Sequence, residues 1–165
     1  MKKIVLMLML LAPAAAFAQK FGHVDVQAIM ESMPEFIKAR GELEALSKQY
    51  ENDLKAMQDE IQRKSDEYEK NKSTMNATMQ EETEAGLNEL FQKYQQAYQD
   101  NQQDLQKAQQ EKLQPIQEKI FQAINNVGKD GGYVYIMQAN SLPYISATLS
   151  TDVTNDVKAE INKLK

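Results

Sequence analysis

Few residues in this sequence could carry out catalytic chemistry. The chain of 165 residues has no cysteine and a single histidine, His23, and no glycine-rich phosphate loop follows a predicted strand. Nucleophile–base pairs and histidine-based metal sites depend on these residue types. Glu81, Glu82 and Glu84 are close together, but a charge run on a helix is usually a solvated face. We therefore predict no enzymatic activity, no cofactor and no metal site, and we expect His23 to lie on a strand, with pH sensing as the alternative.

The first 18 residues have the features of a secretory signal peptide. Two lysines precede an apolar run from Ile4 to about Leu11, and the small-x-small sequence A-F-A at 16–18 precedes Gln19. The alternative is a membrane anchor, but the run is shorter than the roughly 20 residues that span a bilayer. We predict that residues 1–18 are cleaved and that the mature chain is exported and soluble.

The charge of the mature chain restricts its partners. Loss of the two leader lysines leaves 17 basic residues against 24 acidic ones, a net charge of about −7 with neutral histidine. An acidic chain argues against nucleic acid as a partner. Because there is no cysteine, no disulfide can stabilise the fold in an oxidising compartment, and stability must come from packing.

The middle of the chain predicts one long helical segment that reverses direction. From Ser32 to Gly128 the composition is Gln, Glu, Lys, Ala and Asp with spaced Leu, Met and Tyr, which is typical of long helices and coiled coils. Capping-box patterns occur at 32–35 and again at 78–81. We expect the helix to stop and restart near residues 73–78, forming an antiparallel hairpin with arms of about 60 to 70 Å.

A 4-3 spacing of apolar residues predicts the seam between the two arms. Lys64, Asn71 and Asn101 lie in this seam as polar interruptions, which lower stability and help to fix the register. The predicted seam consists of Phe36, Leu43, Tyr50, Leu54, Met57, Ile61, Tyr68 and Met75 in the first arm, and of Leu87, Phe91, Tyr94, Tyr98, Leu105 and Ala108 in the second.

Pro115 is predicted to interrupt the second arm. It removes the hydrogen bond to the carbonyl of Glu111 and its ring crowds that turn, so we expect a kink. Two interpretations remain open: a shoulder where the arm enters a separate body, or an ordinary kink with no mechanical role. The apolar pattern also changes phase here, with Leu113, Ile116, Ile120, Ile124 and Val127 one residue out of step with the preceding seam.

The segments that flank the helical region have strand patterns. Residues 20–26 alternate polar and apolar side chains, and residues 133–137 are rich in aromatic and β-branched types. Gly128 is expected to be the C′ cap of the preceding helix. The predicted apolar core of this body consists of Phe21, Val24, Val26, Tyr133, Tyr135, Met137 and Ile145.

The C-terminal segment predicts one more strand and a short helix. Residues 142–150 are expected to form a third strand with Pro143 at its start. Residues 151–165 are expected to form a helix capped by Thr154, with Val157, Ile161 and Leu164 on one face.

The size of the predicted body indicates an oligomer. A cysteine-free body of about 50 residues can seldom bury enough apolar surface to be stable alone. Self-association that merges several bodies into a shared core would supply that surface, and neighbouring chains would close the open sheet edges.

Four segments carry a resemblance to a known family. They are G-H-V-D-V-Q-A-I-M-E-S-M-P-E-F, the Gln/Glu/Lys-rich hairpin, L-Q-P-I-Q-E-K-I-F-Q-A-I-N-N-V-G-K-D-G-G-Y-V-Y-I-M and T-D-V-T-N-D-V-K-A-E-I, in that order. Over residues 20–165 the chain resembles the Skp/OmpH family of periplasmic chaperones. The resemblance implies a mainly α, jellyfish-like homotrimer. Residues 19–33 and 113–165 would form a small β-barrel-like trimerisation body, and residues 34–112 a hairpin arm, or tentacle, with its tip near 73–79.

The resemblance also implies a function. Members of the family act without ATP as holdases that bind unfolded outer-membrane proteins in a cavity between the tentacles and prevent their aggregation. Met75 and Met79 are candidate client contacts. This chain is acidic, whereas the best-known members are strongly basic, so binding to anionic membranes or lipopolysaccharide is doubtful. The alternative is a structural or adaptor coiled coil that links folded cell-envelope components.

Overall fold

The computed structural model describes residues 19–164, so the predicted signal peptide lies outside the described residues. The described chain is mainly helical with one small sheet, as predicted. It forms two compact units, one of Pro34–Ile116 and one of the residues up to Met33 together with those from Gln117 onward. The elements in chain order are β1 (Lys20–Val24), α1 (Val26–Ser32), α2 (Pro34–Asn71), α3 (Ala77–Gly131), β2 (Tyr133–Gln138), β3 (Ser150–Asp152) and α4 (Thr154–Ile161), with short 3-10 turns at Lys72–Thr74 and Ala139–Ser141.

The sheet has β1 at its centre, with β2 and β3 parallel to it on either side. The register with β2 shifts near the start, because Lys20 pairs with Tyr133 whereas Phe21 pairs with Tyr135. Val134 is therefore an extra residue, as in a β-bulge. The shift places the Tyr133 ring on the side of the sheet toward which a side chain at Gly22 would point. A Cβ added at Gly22 would lie 3.2 Å from the Tyr133 ring. Tyr135 is on the other side of the sheet.

The core of the sheet unit lies where the two short helices α1 and α4 pack on each other. Side chains capping the helices join this region to the sheet. Asp25 Oδ1 accepts a hydrogen bond from the Ala28 N–H (2.9 Å), and the Asp25 N–H donates to Thr154 Oγ1 (3.0 Å). The end of β1 is therefore hydrogen-bonded to the starts of α1 and α4. The buried apolar residues are Val24, Ile29, Met33, Ile120, Ala123, Val153, Val157 and Ile161.

Two boundaries of the sheet unit differ from the predictions. The predicted strand at 20–26 is wrong at its end, because Asp25 caps α1 and Val26 is the first, half-buried residue of that helix. The predicted cap at Gly128 is also wrong: α3 continues to Gly131, and Gly132 takes the positive φ of 67° that follows a helix end.

The C-terminal predictions need two corrections. Residues 142–149 form no strand, and β3 begins only at Ser150. The last helix spans Thr154–Ile161, so the predicted cap Thr154 is its first helical residue, Val153 takes the cap position, and Leu164 lies beyond its end. The Thr154 hydroxyl accepts a hydrogen bond from the Asp25 N–H, and the Thr154 N–H donates one to Asp152 Oδ1 at 2.9 Å. The bond between Asp25 and Thr154 joins residues far apart in sequence, which a local pattern does not contain, whereas the bond between Asp152 and Thr154 is local.

The helical unit consists of α2 and the part of α3 up to Ile116. Ion pairs and hydrogen bonds connect Glu42 with Lys112 and Tyr68 with Glu84, so the two helices run antiparallel. Asn76 caps the start of α3, since its side-chain oxygen accepts a hydrogen bond from the Met79 N–H at 2.9 Å.

Two expectations about the helix ends are wrong. The predicted cap Thr78 lies within α3 rather than at its start. Ser32 ends α1 by donating to the Ile29 carbonyl at 2.7 Å, and α2 begins at Pro34.

Pro115 does not end α3, which is one helix of 55 residues. The predicted kink there stays a prediction.

Two glycine substitutions test these backbone assignments. We expect Gly132→Ala to lower the free energy of unfolding by about 1 kcal/mol, because a Cβ is disfavoured at positive φ. Gly86→Ala is the matched control: it lies in α3, and a Cβ added there would have nothing within 4 Å, so we expect a gain of about 0.5 to 1 kcal/mol. Urea unfolding at one protein concentration measures both. Equal effects of the two substitutions would contradict the assignment.

Candidate functional site

One face of the sheet exposes apolar side chains. Tyr135 and Met137 are 51% and 41% exposed in the single chain and lie on the same side of β2. The Tyr135 ring contacts that of Phe21, with centroids 4.9 Å apart. Contiguous exposed apolar surfaces are candidates for interaction sites. Other large exposed apolar residues of the sheet unit are Phe121, Val134, Tyr144 and Leu149.

The other predicted core residues of this unit are less exposed. Val24 is buried, and Phe21, Val26, Tyr133 and Ile145 are half-buried. The predicted set is therefore divided between the core of the unit and its surface. Tyr135 and Met137 are the two members that a single copy leaves in water.

His23 lies on β1, as expected, on the same face as Phe21. Its Nδ1 is 2.8 Å from the Ser150 hydroxyl. The neighbouring Asp152 accepts hydrogen bonds from Thr154, which lowers the pKa of its carboxyl below the usual range, and the nearby His23 acts in the same direction. Within residues 19–164 no cluster of histidine and acidic residues could hold a metal ion.

The seam of α2 follows the predicted spacing except at Asn71, which is exposed, and at Ala39, which was not predicted and is buried. Ile61 and Tyr68 are buried, at 6% and 5% exposure. Lys64, a predicted polar interruption, is half-buried in the same row. The remaining members in α2, all half-buried, are Phe36, Leu43, Tyr50, Leu54 and Met57.

The seam of α3 departs from the predicted spacing. Phe91 and Tyr98 are each 48% exposed, whereas Leu90 and Ala97, which were not predicted, are half-buried. The steps from Leu87 to Leu90 and from Tyr94 to Ala97 are three residues rather than four. The apolar side chain of Leu90 was the signal in the sequence for this seam position, but the prediction chose its larger aromatic neighbour, Phe91. The predicted seam residues of α3 that are half-buried are Leu87, Tyr94, Leu105 and Ala108.

Polar contacts surround Tyr68 near the turn between α2 and α3. The Tyr68 hydroxyl donates to Glu84, and Lys72 Nζ lies 5.0 Å from the ring centroid and 3.8 Å from Glu84. The hydrogen bond to Glu84 raises the pKa of Tyr68, and the hydrogen bond to Tyr68 raises that of Lys72. An open cavity of about 320 Å³ lies beside these residues. Met75 is half-buried at its edge, and Met79 is 48% exposed.

The profile of the OmpH family, described as outer membrane protein (OmpH-like), matches residues 20–161. The chain belongs to this family. It is 30% identical to the chaperone protein Skp of Yersinia enterocolitica over 158 residues, covering 93% of both chains. It is 26% identical to the chaperone protein Skp of Pectobacterium atrosepticum over 148 residues, covering 87% of this chain and 86% of the relative.

A solved structure shares the fold. The crystal structure of an OmpH-like outer membrane chaperone from Caulobacter crescentus CB15 superposes with a TM-score of 0.74 at 14% identity, covering 88% of this chain and 85% of that one. The family resemblance is therefore confirmed, and the chain belongs to a family of chaperones rather than enzymes. No helix within residues 19–164 is both long and apolar enough to cross a bilayer.

The contact between Tyr68 and Glu84 predicts a pH-dependent effect. Because Glu84 raises the pKa of Tyr68 above its ordinary value of 10.0, the stabilisation from this contact is complete below that value and is lost as the pH rises through the raised pKa. We expect Glu84→Gln to lower the pKa of Tyr68. Glu82→Gln removes an exposed carboxylate two residues away and should leave it unchanged. Titration of tyrosine ring carbons by NMR measures both, and equal Tyr68 values in all three proteins would contradict the contact.

Proposed function

We propose that this protein is an ATP-independent holdase of the periplasm that binds unfolded outer-membrane proteins and prevents their aggregation. The observation that carries the proposal is the similarity to Skp chaperones along 93% of the chain. The predicted signal peptide at residues 1–18 supports export to the periplasm. The proposed partners are unfolded β-barrel chains, which expose apolar side chains and unpaired strand edges.

The proposed assembly is a homotrimer whose shared body contains residues 19–33 and 113–165. The exposed apolar face around Tyr135 and Met137 supports it, because a second and third copy would remove that face from water. The strands β2 and β3 are both edges of the three-stranded sheet, so each can accept a further strand. The proposed body would be barrel-like, with the core residues predicted from the sequence at its centre.

The proposed arms are residues 34–112, three of which would surround a cavity. The sparse packing of α2 on α3 supports a compliant arm, because most seam residues are only half-buried and polar residues interrupt the row. Compliant arms can hold a client, the unfolded polypeptide, through many weak contacts whose sum is useful. Met75 and Met79, close to the turn between the helices, are proposed client contacts, since methionine side chains adapt to irregular surfaces.

The charge of the chain shapes the proposed range of partners. The whole sequence carries a net charge of −5, and the mature part is more acidic. Nucleic acid and anionic lipid both attract basic surfaces, so neither is a proposed partner. Acidic segments of a client should be held less well than neutral or basic ones.

A dilution assay tests the holdase function. A urea-unfolded outer-membrane barrel is diluted into buffer with and without the mature protein, and aggregation is followed by light scattering. We expect suppression near stoichiometric amounts of the assembled protein and without nucleotide, because the arms cover the apolar surface that drives aggregation. A folded, detergent-bound sample of the same barrel is the control and should not bind.

Two outcomes would contradict the proposal. One is unchanged scattering at several-fold molar excess of the protein. The other is tight binding to a single folded envelope component together with indifference to unfolded barrels, which is the behaviour expected of an adaptor.

A further inference from the structure

One side of α3 carries no charge over about six helical turns. At 3.6 residues per turn, the charged residues from Asn88 to Glu111 fall within roughly a sixth of the helix circumference. They are Glu89, Lys93, Asp100, Asp104, Lys107 and Glu111. Away from them lies a surface that we call the amide–aromatic face. It consists of Phe91, Gln92, Gln95, Tyr98, Gln99 and Gln102, all of which are exposed.

The glutamines of this face differ from those that pair with an acidic neighbour. Some glutamine amides elsewhere donate to a carboxylate four residues later, as Gln62 does to Asp66 and Gln96 to Asp100, each at 2.8 Å. On the amide–aromatic face the residue four positions later is never acidic. In the part of the chain that the structure describes, these four amides have no protein hydrogen-bond partner. Their donors and acceptors are therefore available to a ligand.

The face is also specific to α3. Charged residues of α2 lie on all of its exposed sides, and many form ion pairs along the helix, such as Lys38 with Glu42 and Arg63 with Glu67. On α3 the ion pairs Glu89–Lys93 and Lys107–Glu111 stay on the charged side. The two long helices thus offer different chemistry to a partner.

The composition of the face excludes several kinds of partner. Nucleic acid and anionic lipid surfaces require lysine or arginine, and the face has neither. A second helix packed along it would need apolar residues about every 3.5 positions, whereas Phe91 and Tyr98 are its only large apolar residues. A folded partner would also need an apolar centre that these two rings alone do not supply.

An unfolded polypeptide matches this chemistry. Its main chain presents N–H and C=O groups that lack partners, and a glutamine side chain can donate to one and accept from the other. Its apolar side chains can pack on Phe91 and Tyr98, whose rings are half exposed. A charged side chain of the client gains nothing on this face, because no opposite charge faces it.

We propose that the amide–aromatic face binds extended, uncharged segments of an unfolded polypeptide, its glutamines pairing with the main chain and its two rings with apolar side chains. This inference rests on the proposed holdase function and identifies the chemistry of one client contact. Binding through this face depends little on salt and on client sequence, because main-chain amides are common to every client.

Two double variants with the same change in charge test the proposal. Gln95→Glu with Gln102→Glu adds two negative charges to the amide–aromatic face. Lys93→Gln with Lys107→Gln removes two positive charges from the charged side, where both lysines are exposed. The probe is a fluorescently labelled, urea-unfolded outer-membrane barrel. Circular dichroism and molar mass are measured for every variant, so that loss of structure is recognised.

We expect the glutamate variant to weaken client binding roughly tenfold, because a carboxylate cannot donate and must be desolvated without a partner. The lysine variant should stay within about twofold of the wild type, since its exposed ion pairs contribute little. A third variant, Phe91→Ala with Tyr98→Ala, should also weaken binding, because both rings are removed.

The outcomes separate the inference from the proposed function. Equal weakening by both charge variants assigns the effect to net charge and overturns the inference. Normal binding by the glutamate and alanine variants overturns it too, while the wild type still acts as a holdase. A changed molar mass of the alanine variant makes the face a contact between copies and overturns the inference. A wild type that binds no unfolded barrel overturns the proposed function and the inference with it.

Discussion

The exposure of Tyr135 and Met137 is the physical constraint on which the proposed assembly depends. The sheet has three short strands. The buried core of this unit is formed largely by α1, α4 and one end of α3, on the face of the sheet opposite Tyr135 and Met137. A unit of this size buries a smaller share of its surface on folding than a larger domain does. Phe21 covers Tyr135 only in part. The remaining apolar surface needs a partner, and a copy of the same chain is the partner that we propose.

The helical unit combines a charged surface with a narrow apolar seam. Its ion pairs lie along α2 and on one side of α3, and its seam buries few side chains completely. Such a pair of helices has little cohesion beyond its narrow seam, and exposed ion pairs add little to it. Low cohesion suits the proposed arm, which would adapt to many clients. On the proposed amide–aromatic face, main-chain hydrogen bonds would form without selection by charge.

The sequence predicts the helical region well because its signals are local. The spacing of Leu43, Tyr50, Leu54, Met57 and Ile61 indicates the side of α2 that the structure buries or half-buries. The same rule fails at Phe91 and Tyr98 of α3, because the 4-3 spacing counted from Leu87 selects these aromatic residues whereas the structure half-buries Leu90 and Ala97.

The ends of the sheet unit were harder to predict. Asp25 and Thr154 lie near opposite ends of the chain, and the hydrogen bond between them joins the end of β1 to the start of α4. A local pattern does not contain this contact, whereas the bonds of Asp25 to Ala28 and of Asp152 to Thr154 are local. The exposure of Tyr135 also could not be predicted, because strand alternation indicates two faces without saying which one a single copy covers. The most direct test is the molar mass of the processed chain by light scattering over a range of dilutions. We predict three times the mass of one mature chain, and a well-folded single chain at all concentrations would contradict the account.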